Sequence, residues 1–375
     1  MVTLTDVVAA LPETVPFVGP EAQERQRGRL FKARIGANEN VFGPSPGAIR
    51  AMQDAVPSAW QYGDPESHDL REALAAHHDI DMNNLVVGEG IDGLLGYLCR
   101  LIVQPGTRVV TSAGAYPTFN YHVQASGGEL IPVPYVDDHE SPEDLVACAK
   151  RVGARLVYLA NPDNPMGTWS SGATISSALS RLPSDCLLVL DEAYIDCAPR
   201  GAAPEIDTAD TRLVRMRTFS KAYGMAGMRT GYAIGHTALI AAFNRVRNHF
   251  GMCRVSQAGA LAALADQAYL AAVVTRIAAA RDRITAIAAA AGLSTLPSAA
   301  NFVAIDCGGD GALAQRVLSE LLKRDIFVRM PFVAPQDRCI RISAGTDTLL
   351  DLFEAALPEA LESAVAHNGK IQPEV

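Results

Sequence analysis

Short apolar runs separated by amphipathic stretches repeat along most of the chain. The runs Leu85–Val87, Arg108–Thr111, Glu129–Val133, Leu156–Ala160, Cys186–Leu190, Leu213–Arg217 and Tyr232–Ile234 are near-continuous in apolar character, as expected of strands covered on both faces. Helical spacing between them marks Asp69–His77, Ile91–Val103, Pro142–Val152, Thr174–Arg181 and Leu239–His249. Strands alternating with helices predict an α/β fold built on a mostly parallel, seven-stranded sheet. Past Arg254 the pattern changes. A long Ala-rich, Pro-free stretch to about Ala291 is strongly helix-prone. Strand Phe302–Asp306, a helix from Ala312 to Lys323, strands Ile326–Arg329 and Cys339–Ser343, and a last helix from Leu349 then predict a smaller α+β lobe. The expected division is an N-terminal arm with part of the small domain over 1–47, a large α/β domain over 48–270, and a small domain over 271–375. The tail after His367 is expected to fray.

Composition narrows the functional classes. Of 375 residues, 49% are hydrophobic and 19% charged, enough apolar material for a large core. Lys and Arg total 32 against 41 Asp and Glu, a net charge of −9, which argues against an electrostatic nucleic-acid binder. No apolar run reaches the ~18 residues of a membrane span. The segment Met1 to Pro20 lacks a basic start and an apolar signal core, so a cytoplasmic protein is expected. The seven cysteines are scattered without a CxxC pair, and the eight histidines include no HExxH spacing. Neither a disulfide framework nor a metal site is expected.

Two strings resemble nucleotide sites and fail for stated reasons. GEGIDG (Gly88, Gly90, Gly93) follows a strand and opens a helix, the context of a dinucleotide fingerprint. That fingerprint also needs an acid at the end of the next strand, and here Thr111, Ser112 and Ala113 stand there. A nucleotide-dependent dehydrogenase is a distant alternative, but free N–H groups at that helix start suit some phosphate. LLVLDEAY (Leu187–Tyr194) looks like a magnesium-holding strand, yet no GxxxxGK[ST] accompanies it.

Ligands of open α/β sheets sit at the carboxyl ends of strands. NPDNPMGT (Asn161–Thr168) follows one strand, Asp191 and Tyr194 another, and Ser220–Lys221 a third, with Arg229 eight residues beyond Lys221. Singly, such residues are ordinarily a solvated amine, a helix cap or a turn. Together, an amine, a carboxylate, a phenol, an amide and a guanidinium ask for a ligand with an aldehyde, a basic ring nitrogen, a ring oxygen and a phosphate. Pyridoxal 5′-phosphate has all four.

These motifs, in this order, resemble the fold type I pyridoxal-phosphate aminotransferases, in the branch of histidinol-phosphate aminotransferases. The resemblance extends from about Pro16 to Thr346 and includes ANENVFGPSP (Ala37–Pro46), WQYGDP (Trp60–Pro65), YPTF (Tyr116–Phe119), DEAYID (Asp191–Asp196), SKAYGMAGMRTGY (Ser220–Tyr232) and IRISAGT (Ile340–Thr346). It implies that Lys221 bonds the cofactor aldehyde, that Asp191 pairs with the ring N–H⁺, and that Asn164 and Tyr194 hold the ring oxygen. It further implies that Phe119 stacks on the ring. Ser220, Arg229 and the N–H groups of Gly90, Ile91 and Asp92 would hold the phosphate. Tyr62 would reach the cofactor of a neighbouring subunit, which implies a homodimer.

Alternation in CIRIS puts Cys339, Arg341 and Ser343 on one face of a strand. By itself Arg341 reads as an exposed strand arginine. The resemblance makes it the clamp for the substrate α-carboxylate, makes Asn38 a loop residue closing over the substrate, and makes Arg329 a contact for a substrate phosphate. Phe17 departs from the pattern, standing where many histidinol-phosphate aminotransferases carry a tyrosine. The expected activity is transfer of an amino group from histidinol phosphate, or an aromatic or other amino acid, to a 2-oxo acid such as 2-oxoglutarate. A decarboxylase or lyase would share the same cofactor residues.

Overall fold

The computed structural model describes residues 2–13 and 18–366, so Phe17 and the tail after His367 lie outside the described residues. The strands, in chain order, are β1 (Ala33–Arg34), β2 (Leu85–Gly88), β3 (Arg108–Ser112), β4 (Glu129–Val133), β5 (Leu156–Ala160), β6 (Leu187–Asp191), β7 (Leu213–Thr218), β8 (Gly231–Gly235), β9 (Ser294–Thr295), β10 (Phe302–Asp306), β11 (Ile326–Phe327) and β12 (Cys339–Ser343). Seven of them form one sheet in the order β2-β8-β7-β6-β5-β3-β4. Neighbouring pairs from β4 across to β7 run parallel, and β8 is antiparallel to both β7 and β2. The mostly parallel sheet expected from the apolar runs is therefore present, with β8 reversed.

Local chemistry sets the helix boundaries between these strands. Helix Pro142–Val152 is capped by Ser141, whose side chain accepts from the Asp144 amide, has Pro in its first turn, and stops at Gly153 in a left-handed conformation. Helix Gly90–Ile102 begins on Gly90 at φ +77°, a conformation glycine adopts without strain. Both sheet faces are covered. Leu94, Leu98, Phe119 and Val189 belong to one layer, and Val110, Leu145, Leu159 and Leu188 to the other.

Connections from β3 lead to one edge of the sheet and those from β5 to the other, so the strand order reverses between these two neighbours. At such a switch point, loops diverge and leave a crevice beyond the strand ends, the usual ligand position in open α/β sheets. A second core joins both chain ends: Ala33 and Ile35 pack with Ile277, Ile284, Val303, Val317, Ile340, Leu350 and Phe353. It is built on the antiparallel sheet β12-β10-β9, the short parallel pair β1-β11, and helices Gly311–Lys323 and Asp347–Ala366. Arg338 of this lobe pairs with Asp138 of the larger one at 2.7 Å.

Two expected elements are shorter than the sequence suggests, and two features went unread. The Ala-rich stretch is two helices, Arg254–Ala265 and Gln267–Ala290, meeting at 83°. Asp266 breaks the run because its side chain turns back to accept from the Tyr269 amide as an N-cap. Helix Leu239–His249 shortens to Thr237–Phe243. Strand Ile326–Arg329 shortens to β11, with Arg329 joined to Arg341 by an isolated bridge. A helix at Pro117–Ala125 went unpredicted, although Pro at its first position is a start signal. Among the described residues, no single helix is long and apolar enough to cross a membrane.

Candidate active site

The ends of β5, β6 and β7 and the loop after β3 enclose a cleft of about 290 Å³, roofed by residues of the smaller lobe. Asn38, Ile91, Asp92, Asn164, Asp191, Tyr194, Ser220, Lys221, Arg229, Arg329 and Arg341 all line it. Residues from eight separate sequence segments thus meet within one crevice.

Asp191 is the last residue of β6 and is buried. Its Oδ2 accepts from the Tyr158 hydroxyl at 2.7 Å, and its Oδ1 from the Ala193 amide at 2.9 Å. Burial pushes its pKa up to about 6, offset in part by those two donors and by the charge of Lys221. The next residue, Glu192, behaves oppositely. Burial would raise it too, but the guanidinium groups of Arg217 and Arg215, at 2.8 and 2.5 Å, outweigh that and hold it below the ordinary carboxylate range.

Lys221 follows the end of β7. Its Nζ donates to the Asn38 carbonyl at 3.2 Å and lies 5.3 Å from the Tyr194 ring centre. Burial, and then the positive charges of Arg341 and Arg229, lower its pKa to about 8. A sizeable share of this amine is therefore neutral near physiological pH. Tyr194 lies between two amides, accepting from Asn38 Nδ2 at 3.1 Å and Asn164 Nδ2 at 3.3 Å. Burial pushes its phenol up to about 12.

A third cluster occupies one end of the cleft. Ser220 Oγ accepts from Thr218 Oγ1 at 2.9 Å and from Arg229 Nη1 at 3.3 Å. Arg229 itself has φ +51° and turns toward the start of helix Gly90–Ile102. A Cβ added at Gly90 would fall 2.6 Å from Arg229 Nη2, so the guanidinium packs directly on the helix start, and the φ of +77° there suits glycine. The combination suits a dianionic phosphate.

The roof carries the other two arginines. Arg341 lies on β12, with Ile340 and Ile342 turned into the small-lobe core. Its Nη1 donates to Asn164 Oδ1 and its Nη2 to the Gly36 carbonyl at 3.3 Å, while its Nε is buried without a partner among the described residues. Burial lowers its pKa to about 10. Arg329 donates from Nη2 to the Val18 carbonyl at 2.8 Å. Asn38 is more deeply engaged than a closing loop residue. Its backbone φ is +57°, its amide donates to Ser343 Oγ at 2.9 Å, and its carbonyl accepts from Lys221 and from Asn301 Nδ2 at 3.0 Å.

Two expected site residues stand elsewhere. Phe119 is fully buried beneath the cleft, stacked on Tyr158 with ring centres 4.5 Å apart, so that Tyr116 and Pro117 form the wall in its place. Its position on the inward face of helix Pro117–Ala125 accounts for this, since helical spacing buries Phe119 and Val123 together. Tyr62 is 76% exposed and packs on Phe250, away from the cleft of its own chain. Sequence reasoning missed Tyr158, Ser343 and Asn301, which carry no signal because each sits inside or beside an ordinary apolar strand.

The residues present fit pyridoxal phosphate. Asp191 is a buried carboxylate that meets only neutral hydrogen-bond donors and so suits a cationic ring nitrogen. Ser220 and Arg229 stand against the start of helix Gly90–Ile102, where a phosphate can be held, and Lys221 is a partly neutral amine lining the same cleft. Fold and site together define a fold type I pyridoxal-phosphate-dependent transferase. The chain matches the family model "Aminotransferase class I and II" over residues 32–357, and it belongs to that family: it is a pyridoxal-phosphate-dependent aminotransferase. The histidinol-phosphate aminotransferase of Moorella thermoacetica is 31% identical over 362 residues, covering 95% of this chain and 92% of that protein. Histidinol-phosphate aminotransferase 1 of Mesorhizobium japonicum is 33% identical, with 88% and 90% covered. The crystal structure of the histidinol-phosphate aminotransferase from Sinorhizobium meliloti, in complex with pyridoxal 5′-phosphate, is 52% identical with a TM-score of 0.93, covering 96% of this chain and 98% of that one.

Proposed function

We propose that the enzyme takes its amino group from histidinol phosphate and delivers it to a 2-oxo acid, 2-oxoglutarate being the expected acceptor. The observation carrying this reading is the pair of arginines on the roof, Arg329 and Arg341, facing a single amine, Lys221, across one cleft. Two cationic anchors beyond the phosphate cluster suit substrates bearing more than one anionic group, and planar guanidinium forks suit carboxylates and phosphates. The names of the relatives described above point the same way.

Each side chain then has a defined task. Lys221 would hold the cofactor aldehyde, and as a neutral amine it takes the proton from the substrate α-carbon; its lowered pKa serves both tasks. Asp191 holds a proton on the ring nitrogen, and Tyr158 and the Ala193 amide keep that carboxylate aimed at it. Asn164 and Tyr194 hold the ring oxygen, and Ser220, Arg229 and the amides of Gly90, Ile91 and Asp92 hold the phosphate. Arg341 clamps the α-carboxylate through its unpartnered Nε edge, Asn38 closes the site beneath it, and Arg329 meets the distal phosphate. Pyridoxal phosphate, when bound, supplies the aldehyde and the electron-accepting ring. Phe119 we assign to support of that ring from beneath, through Tyr158.

We further assign the enzyme to the cytoplasm and to a homodimer in which exposed Tyr62 reaches the partner's cofactor phosphate. The chain is read as an arm over 1–47, a large domain over 48–270 and a small domain over 271–375, the last boundary falling within helix Gln267–Ala290. The test of substrate is a half-reaction screen of amino donors, following conversion of the bound cofactor to its amine form. Histidinol phosphate should react fastest, and Arg329→Gln should slow it about 10–100-fold, the span of one charged hydrogen bond. A donor without phosphate reacting faster in the wild type would displace this reading.

A further inference from the structure

Beyond the contacts already assigned, the cleft wall conceals a pair of acids to which the reaction gives no role. Glu140 lies in the loop between β4 and helix Pro142–Val152, and Asp163 lies in the turn after β5. They are 4% and 1% exposed, and their carboxyl groups lie within hydrogen-bonding reach of each other. Glu140 Oε2 accepts from Ser112 Oγ at the end of β3 at 2.8 Å, and Oε1 from the Ala160 amide at the end of β5 at 3.4 Å. Asp163 Oδ1 accepts from the Tyr135 hydroxyl at 3.0 Å, and Oδ2 from the Met166 amide at 3.0 Å. All four donors are neutral.

Glu140 therefore ties together the two strands at which the sheet order reverses, where diverging loops would otherwise leave the crevice unsupported. Asp163 closes the turn that carries Asn164: its amide donates to the Thr168 carbonyl at 2.9 Å, and its own carbonyl accepts from the Gly167 amide at 3.1 Å. Asn164 in turn meets Arg341 and Tyr194. The charged and titratable groups facing the pair are Arg341, which acts on Asp163 through space, and the phenols of Tyr135, Tyr158 and Tyr194. Asp138 is taken up by Arg338, and His139 contacts the Asp137 carbonyl.

Two carboxylates in contact and out of water do not both stay ionised. We propose that Glu140 and Asp163 share one proton and act as a positioning pair, holding the Asn161–Thr168 turn so that Asn164 sets Arg341 for the substrate carboxylate. Burial and mutual repulsion raise Glu140 well above the carboxylate range, and burial raises Asp163 as well. The single remaining negative charge faces Arg341, and the shared proton completes the chain of contacts from β3 to the roof. Because Lys221 is held from β7 and Asn38, the pair acts on substrate binding rather than on the proton transfer. This inference rests on the reading of Arg341 as the carboxylate clamp.

The test uses the holoenzyme. Its infrared spectrum at neutral pH should contain a protonated-carboxyl band that disappears in both Glu140→Gln and Asp163→Asn. Glu140→Gln supplies an N–H where the proton was, so its KM for a carboxylated donor should stay within about twofold of wild type. Glu140→Ala breaks the ties to Ser112 and Ala160 and should raise that KM about tenfold while kcat changes less than threefold. A band surviving in both amide variants overturns the shared proton, and a Gln variant as impaired in KM as the Ala variant overturns the positioning role. Should Glu140→Gln not fold, Asp163→Asn beside Asp163→Ala gives the same comparison. If Arg341→Ala leaves the KM of carboxylated donors unchanged, the clamp reading fails, and the infrared result still judges the pair.

Discussion

The floor and the roof of the cleft are built by opposite means. On the floor, Asp191 and Tyr194 have their oxygens met by neutral donors, and Ser220 accepts from Thr218 and Arg229, so that their positions are set before any ligand arrives. On the roof, Arg341 is a half-buried cation whose Nε has no partner among the described residues, and Arg329 donates across to the Val18 carbonyl. An unsatisfied buried donor is costly unless a ligand arrives to meet it. The floor is thus arranged for a permanent cofactor, whereas the roof is arranged for groups that come and go with each substrate. Preorganised charge belongs where the reaction occurs, and open charge belongs where selection occurs.

Substitutions on the two surfaces should separate accordingly. Lys221→Ala removes the only amine that lines the cleft among the described residues and should lower turnover by at least ~10²–10⁴-fold, the range for loss of a positioned acid–base group. It should also abolish the visible absorbance of the lysine-bound cofactor; normal turnover would end the assignment. Asp191→Asn keeps the shape of the floor but removes its charge, with an expected loss in kcat of about 10²–10³-fold, as for removal of one preorganised electrostatic partner. Single-turnover rates check this, and a KM effect alone would put Asp191 on the selective side of the comparison.

On the roof, Arg341→Ala should cost about 1.5–3 kcal/mol in kcat/KM for carboxylated donors, the worth of hydrogen bonds to a charged group. Donors lacking the carboxylate should lose far less, and an equal loss for both would remove the distinction between floor and roof. The smallest effect concerns pH. Cofactor loading of the free protein needs the neutral amine, and Lys221 titrates near 8 in place of 10.5 because of burial and its cationic neighbours. The second-order loading rate should therefore rise with pH through about 8, and Arg341→Gln should move that midpoint upward by removing a positive charge. A midpoint unmoved by the substitution would mean that burial and Arg229, not Arg341, set the amine.

Most floor residues were legible in the sequence because each ends a strand whose apolar run is unmistakable. Asp191, Lys221 and Asn164 interrupt hydrophobic sequence with groups that no core tolerates unpaired. Phe119 was misread because an aromatic in YPTF has no signal that separates cleft wall from core; the helix that turns it inward went unpredicted. The Ala-rich stretch is helical as its composition suggests, but its break went unread for a related reason. Asp266 is one polar residue in a strongly helical run, and whether it caps or merely decorates depends on what the following helix packs against. Tyr158, Glu140 and Ser343 gave no warning, since their importance lies in partners 20 to 305 residues away.

What the sequence determined by itself was the α/β alternation, the parallel sheet and the chemical inventory at its strand ends, because periodicity and burial are local properties of the chain. Tertiary structure alone decided which side chains meet. The reversal of strand order between β3 and β5 opens the crevice, and the small-lobe core carries Arg341 over it. Burial in that assembled space then moves Lys221 toward the neutral form in which it works, while the donors from Tyr158 and Ala193 and the charge of Lys221 counter the rise that burial causes at Asp191. A pKa depends on the solvent and charges around a group, and those exist only once distant segments are folded against one another.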